Sequence, residues 1–107
     1  MDKFSQQLEN YLRLAHSSAL LVSQGDKANL NILLEMLGTV DRDIFVAYYG
    51  LFGNPVTDAA QIALKYRVPQ SAIHEIVEKD LHHLSITPEW QMMVRQLKPI
   101  VRKKIEQ

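Results

Sequence analysis

Apolar residues recur along this chain at steps of three and four, the spacing that places side chains on one face of a helix. Phe4, Leu8, Tyr11, Leu12, Ala15, Ala19 and Val22 predict a first helix of about five turns, broken at Gly25 and Asp26. Leu30, Leu33, Leu34 and Leu37 predict a second, ended by Gly38, a residue suited to the left-handed conformation that often follows a helix. Thr39 or Asp41 can cap a third, striped by Ile44, Phe45 and Tyr48 as far as Gly50. A turn-rich connection with Gly53, Asn54 and Pro55 follows.

Thr57 or Asp58 then opens a short helix with Ala59, Ile62, Ala63 and Tyr66 facing inward. Arg67 and Val68 make a tight turn, and Pro69 suits a first helical turn because its missing N–H is not needed there. The next stripe, Ile73, Ile76, Val77, Leu81 and Leu84, is the cleanest in the chain and leaves Gln70, Ser71, His74, Glu75, Glu78, Lys79 and His82 outside. Thr87-Pro88-Glu89 reads as cap, first-turn proline and acidic first turn of a closing helix, with Trp90, Met93, Val94 and Leu97 inside and the Met92-Met93 pair read as packing. Pro99 should kink or divide it, and Ile100, Val101 and Ile105 alternate with basic residues beyond. No strand-like alternation or repeat interrupts the pattern. The expectation is an all-α fold, a small bundle of five to six helices containing a helix-turn-helix.

At 107 residues the chain suits one domain, 1–107, with N-terminal helices in 1–36, a core in 37–84 and a closing helix in 87–107. Its composition, 47% hydrophobic and 22% charged, is that of a folded soluble protein. Cysteine is absent, which excludes disulfides, thiolate metal sites and cysteine nucleophiles. The N-terminal residues lack a signal-like pattern and no run approaches a membrane span, so a cytoplasmic location is expected. No phosphate-binding loop, nucleophile motif or helix-borne metal pair is present, so neither catalysis nor a cofactor is expected.

Charge modifies this picture. The net charge is zero, whereas proteins that neutralise phosphates usually carry a basic excess. Its distribution is uneven: Arg95, Lys98, Arg102, Lys103 and Lys104 crowd the C-terminal end, while the stretch from Gln70 to Leu84 holds Glu75, Glu78 and Asp80 against Lys79. His74, His82 and His83 do not converge as metal ligands, since neighbouring helical residues point about 100° apart. Their protonation below about pH 6.5 would make that helix less acidic.

The segment from Leu37 to Leu84 resembles the fourth conserved region of sigma-70 family factors. The likeness is carried by Leu37, the Asp41-Arg42-Asp43-Ile44-Phe45 helix start, the Tyr49-Gly50-Leu51 signature, Ile62-Ala63, Val68, and the apolar positions Ile73, Ile76, Leu81 and Leu84. A weaker likeness, through Leu33 to Leu37 and Pro88-Glu89-Trp90, is to small all-helical dimers of the Trp-repressor type.

The sigma resemblance implies a helix-turn-helix that reads the −35 promoter element and docks on RNA polymerase. It points to DNA contacts from Thr57, Lys65, Arg67, Gln70, Ser71, His74 and Lys79. The arginines of the family's reading helix are replaced here by Gln70, Ser71, His74 and Glu75. Arginine is the usual bidentate reader of guanine, so recognition is altered or lost. Two expectations follow: a DNA-binding regulator acting on a promoter or operator, or an adaptor that binds RNA polymerase or a sigma factor without reading DNA. The apolar stripe of the first helix is a candidate homodimer surface.

Overall fold

The computed structural model describes residues 1–18 and 21–106, so Ala19 of the first predicted stripe lies outside the described residues. Among them are seven helices and no strand: α1 (Lys3–Ser17), α2 (Gln24–Leu34), α3 (Thr39–Tyr49), α4 (Ala59–Tyr66), α5 (Gln70–Ser85), α6 (Pro88–Gln96) and α7 (Pro99–Ile105). The count exceeds the expected five to six because Pro99, at the first turn of α7, divides the closing helix in two. A proline ring clashes with the preceding helical turn and brings no N–H, so α6 stops at Gln96 and α7 starts afresh.

Asp2 opens α1 by accepting the Ser5 N–H at 2.9 Å. The helix is shorter than its apolar pattern suggested, ending at Ser17, and Phe4 at the start of that pattern is half exposed. Gly25 and Asp26 do not break a helix. They lie in the first turn of α2, where Asp26 and Ser23 cap each other reciprocally. Gly38 is likewise no left-handed terminator, because α2 has already ended at Leu34 and Gly38 takes an extended conformation as the N-cap of α3.

The core is built around α1 and α5. Leu8, Tyr11 and Leu12 of α1 and Ile73, Leu81 and Leu84 of α5 are wholly buried. Removing each such aliphatic side chain from water is worth about 1.5–3 kcal/mol. Helix α5 also packs on α3, α4 and α6, so it is the element shared by most of the bundle. Trp90 of α6 closes the core with its ring 5.4 Å from that of Tyr11. Met92, read from sequence as part of that packing, faces outward. Of the apolar stripe read as a candidate homodimer surface, Leu8, Tyr11 and Leu12 are buried within the molecule, where α1 is covered by α5, α7 and α3, and Phe4 stays half exposed.

The Tyr49-Gly50-Leu51 signature has a plain steric basis. Gly50 ends α3 in the left-handed region at φ +64°. A Cβ built there would lie 2.7 Å from the His16 ring and 2.9 Å from Val56. His16 meets the Gly50 carbonyl at 2.8 Å, and the buried Tyr49 hydroxyl donates to Glu9 at 2.7 Å, fastening α3 to α1 on both sides of the turn. Gly50→Ala combines left-handed strain with overpacking and is expected to cost about 2–4 kcal/mol in chemical denaturation; a loss below about 1 kcal/mol would mean that this turn relaxes freely.

Asp80, counted from sequence among the charges of this helix, is 6% exposed and belongs to the buried side of α5, in phase with Ile73, Val77 and Leu84. Its Oδ2 has no hydrogen-bond partner. Burial first, and the neighbouring Asp41 carboxyl second, push the Asp80 acid up to about 7. The folded chain therefore holds a proton that the unfolded chain releases near pH ~4. This contribution to stability is complete at acid pH and lost as pH rises through 7. Asp80→Asn should flatten the pH dependence of unfolding and exceed the native chain in stability above pH 7 by roughly 1–3 kcal/mol; parallel profiles for the two proteins would show that Asp80 ionises freely.

Candidate nucleic-acid interface

Helices α4 and α5 are joined by the three residues 67–69. Asp58 caps α4 by accepting the Gln61 N–H at 2.9 Å. At its other end Arg67 adopts the left-handed conformation, φ 56° and ψ 46°, and the Val68 N–H returns to the Ala63 carbonyl at 3.1 Å. This ends α4 and turns the chain toward α5. Pro69 then sits at the N-cap of α5, one position before the first helical residue expected for it. Ala63 is buried where the two helices meet, and the absence of a larger side chain allows close approach. The pair is fixed to α3 by the Thr57 N–H, which donates to the Ala47 carbonyl at 2.8 Å.

The seven residues assigned to the interface are all accessible to some degree, but they do not form one patch. Gln70, Ser71, His74 and Lys79 are exposed on α5, Lys65 and Arg67 are exposed at the end of α4, and Thr57 is half-buried at the far end of α4. Gln70 and His74, four residues apart, share one line along α5 on the side nearest α3. There the His74 ring stands edge-on to Tyr48 with centroids 6.2 Å apart. Ser71 begins a second line with Glu75, Glu78 and His82, all exposed, and this line forms the crest of the helix. Lys79 follows His74 by five residues and so points about 140° away from it, to the opposite flank. Lys65 is folded back, with its Nζ 5.4 Å from the centre of the Tyr66 ring.

The crest is acidic at its middle, through Glu75 and Glu78, and the cations nearest to it in sequence stand at its edges. Burial of Asp80 removes one of the three carboxylates that sequence reading placed on this helix. His82 has a partner of its own: its Nδ1 lies 2.9 Å from Asp2 Oδ2, and that contact and the capping of α1 hold the Asp2 acid at about 2, the bond from the Ser5 N–H being the larger cause. Among the described residues no group of three or more histidines or carboxylates is placed to hold a metal ion. No helix of the described residues is long and apolar enough to cross a membrane.

Sequence reasoning passed over Leu64, which is 79% exposed on α4 one turn before Val68, itself 37% exposed. The signal was available, since a stripe of Ala59, Ile62, Ala63 and Tyr66 leaves Leu64 on the opposite face. These two side chains leave exposed apolar surface on α4 and in the bend after it. No protein-family model, curated protein or solved structure matches the chain.

Arg67 offers a separation of fold from binding. Left-handed strain on a residue with a Cβ costs about 1–2 kcal/mol, and a glycine there would relieve it while adding about 0.4–1 kcal/mol of unfolded-state freedom. Arg67→Gly is expected to leave stability unchanged or raised by up to about 1 kcal/mol, read by thermal unfolding. A clear loss of stability would mean that the guanidinium carries a structural contact.

Proposed function

We propose that this chain is a transcription regulator that binds duplex DNA through a helix-turn-helix formed by α4 and α5, of the kind found in sigma region four. The observation that carries the reading is the orientation of α5. Its apolar stripe is spent on the core, and Gln70, Ser71 and His74 stand exposed on the first two turns, next to the bend at Arg67. In this motif the N-terminal residues of the second helix are the ones that meet base edges. Gln70 can pair with adenine through its amide, and Ser71 and His74 can meet a phosphate or a base edge. Thr57, Lys65, Arg67 and Lys79 are the flanking contacts to the backbone. The promoter or operator that it reads is then one chosen without the bidentate arginine–guanine pair.

A second reading is favoured by the acidic crest and by the exposed Leu64 and Val68. Carboxylates repel phosphate, and exposed apolar side chains suit a protein surface. On this reading the unit is an adaptor that docks on RNA polymerase or a sigma factor.

Selection from a random duplex library distinguishes the two. A DNA reader enriches a defined sequence, and Gln70→Ala with His74→Ala lowers affinity for it by about tenfold or more, since each good base contact is worth about 1–3 kcal/mol. Absence of any enriched sequence would end the first reading. Retention of polymerase in a parallel pull-down, lost on Leu64→Glu, would then establish the second.

A further inference from the structure

The C-terminal corner of the molecule carries a charge that the zero net balance conceals. Arg95, Lys98, Arg102, Lys103 and Lys104 stand against Glu106 alone in residues 95–106, which leaves the rest of the chain with seven cations against eleven carboxylates. All five are exposed, and the ion pairs among the described residues, Arg13–Glu9 and His82–Asp2, involve none of them. One cation at a helix C-terminus is explained by the helix dipole. Three consecutive cations, with two more at the preceding corner, repel one another more than a dipole requires.

These side chains stand on a fixed support. Val101 and Ile105 bury the inner side of α7 against α1, and Asn10 donates to the Ile105 carbonyl at 3.1 Å. The outer side of α7 therefore presents Arg102, Lys103 and Lys104, with Ile100 as its one exposed apolar residue. Grooves run along both flanks of the helix. One, of about 380 Å³, is bordered by Lys104 and by Asn10, Arg13 and Ser17 of α1. The other, of about 650 Å³, is bordered by Arg102 and by Lys3 and Gln7 of α1, with Glu106 at its edge. Arg13 is partly engaged already, at 3.6 Å from Glu9 and over the Tyr49 ring.

We infer that α7 and the corner before it form a second polyanion-binding surface, separate from α5, which grips the phosphate backbone of duplex DNA without regard to sequence. It rests on the reading proposed above for its polyanion. Seven helical residues rise about 10 Å, a span that covers two or three phosphates of one strand. A membrane surface fits less well, because the apolar side of α7 is already buried and the exposed apolar residues left beside its cations are Ile100 and, across the larger groove, Phe4.

The test is fluorescence anisotropy of the full chain on a short random-sequence duplex, across roughly 50 to 200 mM potassium chloride. Arg102→Gln, Lys103→Gln and Lys104→Gln together should reduce the slope of log affinity against log salt by about 2–3, since each phosphate contact contributes about 0.9. Arg102→Lys, Lys103→Arg and Lys104→Arg together should keep the slope, and far-UV circular dichroism should show both variants folded. An unchanged slope in the glutamine variant overturns the inference, as does a native chain whose binding does not respond to salt. Attachment to phosphatidylserine vesicles with no binding to the duplex overturns it too. The Gln70→Ala, His74→Ala protein, compared on a duplex enriched from the library and on the random one, separates the two proposals. If no duplex is preferred by the native chain, or the variant keeps the native preference, while the α7 variant loses slope, base reading by α5 fails and the backbone grip stands. If the variant loses that preference while the α7 variant is unaffected, the converse holds.

Discussion

The seam between α1 and α5 is the constraint from which the rest of the molecule follows. Leu8, Tyr11 and Leu12 on one side and Ile73, Leu81 and Leu84 on the other have no accessible surface, so neither helix can rotate about its axis without returning several apolar side chains to water. Because α5 also supports α3, α4 and α6, its rotation sets what the molecule shows outward. The polar residues on its far side are presented because the apolar ones are held. Asp80 is the exception on the buried side of α5: a retained proton holds its carboxyl beside that of Asp41, which makes the α3–α5 contact sensitive to pH.

Four described residues have positive φ, Gly50, Phe52, Gly53 and Arg67; of these Gly50 and Arg67 end α3 and α4, and they are held by different causes. At Gly50 the surroundings forbid a Cβ, because His16, Val56 and the Asn54 carbonyl crowd the position. At Arg67 the conformation is imposed by the turn from α4 into α5, on a side chain that is exposed. The first turn therefore restricts the residue, whereas the second restricts only the backbone. With the Thr57–Ala47 hydrogen bond they set how α3, α4 and α5 follow one another, which is the geometry on which any use of the α4–α5 unit depends.

The all-helical class was legible because apolar spacing dominates the sequence, and the core stripe of α5 was read almost residue for residue. What escaped the reading were features set by competition between neighbours. Gly38 looked like a helix terminator, but the structure gives it to the start of α3 once α2 has ended at Leu34. Met92 was drawn into the core by its neighbour Met93, although the buried side of α6 runs through Trp90, Met93 and Val94 and leaves Met92 outside. Asp80 was assigned by its charge when its phase with Ile73, Val77 and Leu84 pointed inside. Of the seven proposed contact residues six are exposed and Thr57 is half-buried, and their division between two lines of α5 and two ends of α4 depends on the angle and length of the bend.

Net charge is a poor guide to the partners of a molecule of this shape. The longest dimension is 41 Å, several times the Debye length of about 10 Å at moderate ionic strength, so a ligand at one surface does not sense the far side. A sum of zero is then compatible with a patch that attracts phosphate and a ridge that repels it. On α5 the ridge repels phosphate, whereas the cations of α7 are exposed and lie outside the ion pairs of the described residues. For the DNA reader proposed above, a repulsion that is the same for every sequence weakens all sites alike, so the ratio between a right and a wrong sequence rests on the base contacts alone.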